Sequence, residues 1–151
     1  MKKEEQINAF LEMKALAIVG VSRDIKKFGN IVFKTLTKKG YQVLPVNPNT
    51  EQIDGVRCYK NIFELPTDVD RIILLTPKGQ TNSLINQAIE KGIKKIWVQQ
   101  GSNTPETSDF LKSNAIEIIM NECILMYAQP TGMHKFHRNI KLFFQRLFGK
   151  N

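Results

Sequence analysis

The segment Gly20-Val21-Ser22-Arg23-Asp24-Ile25-Lys26-Lys27-Phe28-Gly29-Asn30 collects the groups best suited to meeting a phosphate. Gly20 and Ser22 keep a turn small enough for backbone to approach an anion. Gly29 and Asn30 open a helix, and the unpaired N–H groups and positive dipole end of a helix start favour negative charge. Lys26 and Lys27 add positive charge nearby. The G-x-G-x-x-G dinucleotide fingerprint is not met, because Ser22 stands where its second glycine belongs and the loop is several residues longer. Many α/β proteins carry a glycine after their first strand, so spacing alone does not separate phosphate binding from a plain turn.

Three further segments could line the same crevice. Pro45-Val46-Asn47-Pro48-Asn49 forms a rigid corner able to wall an adenine, with the Asn47 amide as a polar contact. Proline and asparagine are also ordinary turn formers. A nicotinamide-dinucleotide protein usually ends this strand with an acid for the ribose hydroxyls, and here none appears before Glu51. Thr76-Pro77-Lys78-Gly79 and Gln99-Gln100-Gly101-Ser102-Asn103 are polar, glycine-punctuated loops. Trp97, the only tryptophan, lies inside an apolar run and reads as core rather than as a stacking platform.

Catalytic candidates are sparse. Cys123 could exchange with a thiol ligand, but nothing adjacent lowers its pKa, and an inert cysteine is preferred. His134-x-x-His137 has the spacing of ligands on one helical face. With Cys123 it would still be an incomplete metal set, so no metal site is expected. No Ser/His/Asp or paired-carboxylate constellation stands out.

The elements that must position these residues are five short apolar runs: Ala15–Gly20, Gln42–Val46, Arg71–Leu75, Lys95–Val98 and Ala115–Met120. Most lack polar–apolar alternation, as strands covered on both faces do. Helical patterns fall between them. Asn30–Lys39 stops at Gly40, Gln80–Lys91 stops at Gly92, and Thr104-Pro105-Glu106 is a helix start. A helix at roughly 3–13 precedes them and one at about 134–148 follows. This alternation predicts a doubly wound, five-stranded parallel α/β sheet of Rossmann-like type, in the order 3-2-1-4-5, as a single domain over 1–151.

At 151 residues, 42% hydrophobic and 24% charged, the chain is an ordinary globular domain rather than a disordered one. No apolar run reaches the roughly 18–20 residues of a membrane span. The N-terminus mixes Lys2 and Lys3 with Glu4, Glu5 and Glu12, unlike a secretory signal. With two lone cysteines, Cys58 and Cys123, this predicts a cytoplasmic protein with reduced thiols. Of the net charge of +8, five units sit on Lys135, Arg138, Lys141, Arg146 and Lys150. The tail also carries the stripe Phe136, Ile140, Phe143, Phe144 and Leu147. It could dock on its own domain, on a second subunit to make a homo-oligomer, or on an anionic surface, with protein packing preferred. Nucleic acid is disfavoured, since the basic loops carry no interleaved stacking aromatics.

Taken together, Ala17-Ile18-Val19-Gly20-x-Ser22-x-Asp24…Gly29, Gly40-Tyr41-x-Val43-x-Pro45-Val46-Asn47-Pro48 and Trp97-Val98-Gln99-x-Gly101 resemble the small stand-alone CoA-binding domain proteins. These are similar to the CoA-binding domain of the succinyl-CoA ligase α subunit. The likeness runs from about Phe10 to Cys123. It implies coenzyme A as the small-molecule nucleotide ligand, held by its ADP portion. Gly20, Ser22, Arg23 and the Lys26–Asn30 turn, with Lys27 and Gly29, would face the phosphates. Pro45, Val46, Asn47 and Pro48 would border the adenosine, Thr76 and Pro77 the nucleotide, and Gln99 and Gly101 the pantetheine arm. Lys26, Lys27 and the surroundings of Asn49 are the available places for the 3′-phosphate. The ligase's phosphohistidine lies in a domain without counterpart in these residues, so ligase chemistry is not expected. The expectation is a CoA- or acyl-CoA-binding module. The alternative is an NAD(P)-binding enzyme or redox sensor on the same fold.

Overall fold

The structure, a computed structural model, describes residues 2–12, 14–113 and 116–128. The expected tail helix at about 134–148, with His134 and His137, lies outside these residues. All five apolar runs form strands of one parallel sheet: β1 (Leu16–Val19), β2 (Val43–Val46), β5 (Arg71–Leu74), β6 (Lys95–Gln99) and β7 (Glu117–Glu122). Between β2 and β5 a small antiparallel hairpin, β3 (Gln52–Ile53) and β4 (Val56–Arg57), intervenes.

Every residue of β1, β2 and β5 is buried, which is why their sequences do not alternate. Alternate side chains serve opposite faces. Leu16 and Ile18 of β1 join one apolar cluster with α1 (Lys3–Phe10), α2 (Phe28–Lys38) and α4 (Ile124–Ala128). Ala17 and Val19 join the other with Ile85 and Ala88 of α3 (Lys78–Lys91). Trp97 is fully buried in the first cluster and donates Nε1–H to the Glu122 carbonyl at 3.2 Å, as its position in the strand implies. The helix stops expected at Gly40 and Gly92 are where α2 and α3 end. Thr104-Pro105 opens a 3₁₀ helix, Pro105–Lys112, rather than an α-helix. There the Thr107 hydroxyl accepts the Thr104 N–H at 2.8 Å and donates to Asn82 Oδ1 at 2.7 Å, tying the tight turn to α3.

The expected strand order needs correction. The sheet runs β2-β1-β5-β6-β7, so the third apolar run pairs with β1 and not with β2. The place beside β2 is already taken. Val46 makes a parallel bridge to Tyr59, with Tyr59 N–H donating to the Pro45 carbonyl and Asn47 N–H to the Tyr59 carbonyl, both at 2.9 Å. Tyr59 is thus a one-residue third strand, too short to register as an apolar run. Counted with it, strand order reverses between β1 and β5, which places the topological switch point there.

At the opposite end of β5, Arg71 is fully buried. Its guanidinium donates to the Ala9 and Phe10 carbonyls at the end of α1, at 3.1 and 2.8 Å, and to both Asp70 oxygens at 2.8 and 3.2 Å. A cation there also opposes the negative end of the helix dipole. Replacing Arg71 by Met is expected to lower stability by about 3 kcal/mol in urea unfolding, since it strands two carbonyls. The hydrogen bond from Arg71 holds the Asp70 carboxyl below the ordinary aspartate range despite some burial. This contribution is complete above about pH 4 and is lost as pH falls through the lowered folded value. The acid-side slope of stability against pH should therefore shrink in Arg71→Met.

Candidate functional site

The carboxyl ends of β1, β5 and β6 surround a cleft of about 740 Å³. Its floor begins at Gly20, which has φ +97° and approaches β5 so closely that a Cβ would lie 2.6 Å from the Leu75 carbonyl oxygen. Only glycine takes that backbone conformation without strain. Gly29, in the first turn of α2, packs on the other side of the same turn, where a Cβ would come within 2.1 Å of the Gly20 oxygen. Helix, turn and neighbouring strand therefore meet backbone against backbone.

Two asparagines hold the turn. Asn47 Nδ2 donates to the Val21 carbonyl at 2.7 Å from the end of β2, and Asn30 Nδ2 donates to the Ser22 carbonyl at 2.8 Å from α2. Across planar trans peptides this directs the N–H groups of Ser22 and Arg23 away from those amides. The Ser22 hydroxyl accepts the Asp24 N–H at 3.0 Å, and Asp24 Oδ1 accepts the Lys26 N–H at 2.9 Å, so the loop is built from consecutive side-chain turns. The first helical bond of α2 is from Ile31 N–H to the Lys27 carbonyl, and no side chain caps the helix. The start of α3, preceded by Pro77, is likewise uncapped by a side chain. Both helix starts open on the cleft, with Lys27 and Lys78 on its rim.

Among the described residues, three buried side-chain polar atoms lack a hydrogen-bond partner: Asn30 Oδ1, Thr76 Oγ1 and Gln99 Nε2. Thr76 and Gln99 line the cleft, and Asn30 stands in the first turn of α2 beside it. Gln99 is 2% exposed, and its Oε1 accepts the Ile124 N–H at 3.0 Å. That bond fixes the amide's orientation, so the atom left over is a donor. Unpaired buried polar groups are rare in folded proteins, and here all three gather at one place.

A second hollow of about 580 Å³ lies at the end of β2, lined by Arg23, Pro48, Asn49, Thr50, Glu51, Gln52 and Lys60. The sequence-predicted residues divide between the two. Gly20, Ser22, Lys27, Gly29, Thr76, Pro77, Gln99 and Gly101 line the cleft, whereas Arg23 and Pro48 line the hollow. Lys26, Asn30, Pro45, Val46 and Asn47 line neither. Pro45 and Val46 are buried strand residues, and Asn30 and Asn47 act on the turn instead. Sequence reasoning missed Lys60, whose position depends on the unrecognised third strand. It also missed the hydroxyl of Thr81, which donates to the Ser102 carbonyl at 2.6 Å and seats the loop after β6 on α3.

Cys123 is buried in the core rather than on the cleft. Burial pushes its thiol up, although the nearby Gln99 Nε2, which makes no hydrogen bond within ordinary geometry, and the Leu125 and Met126 N–H groups pull the other way. Burial likewise raises Cys58. No group of three metal-ligating side chains occurs among the described residues, and no helix there is long and apolar enough to cross a membrane.

A parallel sheet with helices on both faces, and a cleft at its switch point opened by a glycine turn and helix starts, defines a Rossmann-like α/β domain. Residues 14–129 match the family described as "CoA binding domain". The chain belongs to this CoA-binding domain family. It is 36% identical over 93 residues to the acetate–CoA ligase (ADP-forming) II subunit alpha of Pyrococcus furiosus, covering 61% of this chain and 20% of that one. It is 27% identical over 111 residues to the uncharacterized protein YneT of Bacillus subtilis, covering 74% and 82%. A solved structure, a conserved hypothetical protein from Pyrococcus furiosus, is similar at 39% identity and a TM-score of 0.72, over 76% of this chain and 98% of that one. The chain thus spans about a fifth of the ligase subunit's length and nearly all of the small hypothetical protein.

The two glycines of the cleft region give a paired test. Gly29→Ala should lower stability by about 1–3 kcal/mol or more, because the new methyl group meets backbone that cannot step aside. Gly79→Ala, in the first turn of α3 with nothing within 4 Å of its Cβ, should be neutral or stabilise by up to about 1 kcal/mol. Thermal unfolding of both variants measures the difference.

Proposed function

We propose that this protein binds coenzyme A, or an acyl-CoA, across the carboxyl ends of its strands, and that its role is binding without a catalytic step. The observation that carries this reading is the convergence on one cleft of two helix starts uncapped by side chains and two buried, unpartnered polar groups, Thr76 Oγ1 and Gln99 Nε2. The diphosphate belongs at the Gly20–Ser22 turn and the first turn of α2, near Lys27, where N–H groups and helix dipole favour negative charge. The adenosine belongs toward Pro48, and the pantetheine arm toward Thr76, Pro77, Gln99 and Gly101. Family membership and the likeness to a subunit named for joining acetate to CoA support the choice of coenzyme. Ligase activity is not part of the reading, given the small share of that subunit the chain spans.

One observation favours NAD instead. Glu51 lines the hollow at the end of β2, and a carboxylate there could take ribose hydroxyls. Two cations share that hollow, so a phosphorylated ribose suits its charge better. Thermal-shift measurements with CoA, acetyl-CoA, NAD and NADP separate the readings. CoA or acetyl-CoA at about 100 times its dissociation constant should stabilise the fold by roughly 2.7 kcal/mol, a rise of several degrees. A rise with NAD and none with either CoA form would reverse the assignment. Thr76→Val should leave the unliganded protein as stable or slightly more so, because an orphaned hydroxyl disappears, while weakening CoA binding about fivefold.

A further inference from the structure

The hollow at the end of β2 has a composition that the cleft does not share. Arg23 reaches it from the loop after β1, and Lys60 from the residue after the Tyr59 bridge. In spatial order the strand ends read Tyr59, β2, β1, so these two cations stand on either side of the Asn47-Pro48 corner. The corner is fixed from both sides. Asn47 N–H donates to the Tyr59 carbonyl, Asn47 Oδ1 accepts the Asn49 N–H at 2.8 Å, and Asn47 Nδ2 holds the Val21 carbonyl. Neither the Arg23 nor the Lys60 side chain has an ion pair or hydrogen bond among the described residues. Glu51 is the carboxylate that shares the hollow, leaving the pair with a net positive charge.

We infer that this hollow is a phosphomonoester subsite, in which Arg23 and Lys60 grip the 3′-phosphate of the adenosine and thereby select coenzyme A over its dephosphorylated form. The inference rests on the coenzyme A reading and adds to it the residues that set specificity. A guanidinium offers a fork of donors to phosphate oxygens and an ammonium a mobile point charge, and both bonds are charge-assisted. Lys26 and Lys27 are left without this role, since Lys26 lines neither cavity and Lys27 lies on the diphosphate side. Glu51 opposes the phosphate, and its neutralisation should sharpen the preference.

Titration calorimetry of the full chain with CoA and dephospho-CoA tests the assignment on the wild type, Arg23→Gln, Lys60→Gln, the double variant and Glu51→Gln. The wild type should prefer CoA about tenfold or more, and each single variant should lose at least about threefold of that preference. The double variant should bind both ligands alike, with its affinity for dephospho-CoA unchanged, and Glu51→Gln should widen the gap. All three positions being replaced are solvent-facing, and matching melting curves verify folding. Equal binding of the two ligands by the wild type, or a preference that survives in the double variant, would overturn the subsite while leaving the coenzyme A reading standing. Failure of the wild type to bind either ligand would instead remove the reading on which it rests.

Discussion

The site depends on a contact that involves almost no side chain. At the switch point the Gly20 turn is pressed between the first turn of α2 at Gly29 and the end of β5 at Leu75, with no room for a Cβ at either glycine. This approach brings the start of α2 directly over the strand ends, and a helix dipole acts strongly only within its first turn. The Asn47 and Asn30 amides then fix the Val21–Ser22 and Ser22–Arg23 peptides. The sheet supplies the position, the glycines the proximity and the asparagines the orientation. None of the three would suffice alone.

Around that contact the polar groups divide by purpose. Those that build the scaffold are satisfied, as in the Thr81, Asn82, Thr104 and Thr107 network that seats the loop after β6. Those left over, on Asn30, Thr76 and Gln99, cluster where the strands end. A fold that pairs its buried polar groups elsewhere leaves hydrogen-bonding capacity open here, which supports reading the cleft as a ligand site.

Much of the architecture was legible in the sequence because double-sided burial writes itself as unbroken apolar runs, and all five became strands. The order of the strands was not, because Tyr59 takes its place beside β2 through one bridge and two backbone bonds, which leave no periodicity to read. The same blind spot hid Lys60. The turn glycines and post-strand loops that line the cleft were visible from composition and position. Pro45 and Val46, expected to border the adenosine, are buried by pairing with β1 and line neither hollow. Asn30 and Asn47, expected at the ligand, clamp the turn after β1 through their side-chain amides, a role that only their partner carbonyls reveal.

Strand β5 carries a division of labour along its length. Arg71 at its beginning anchors the terminal helix α1, while Leu75 and Thr76 just past its end border the cleft. Five residues of extended chain separate these ends by roughly 16 Å, beyond the range at which substitutions usually influence one another. Sequence drift at the mouth of the cleft can thus proceed without loosening the anchor. The anchor in turn gives such drift a reserve of stability to draw upon.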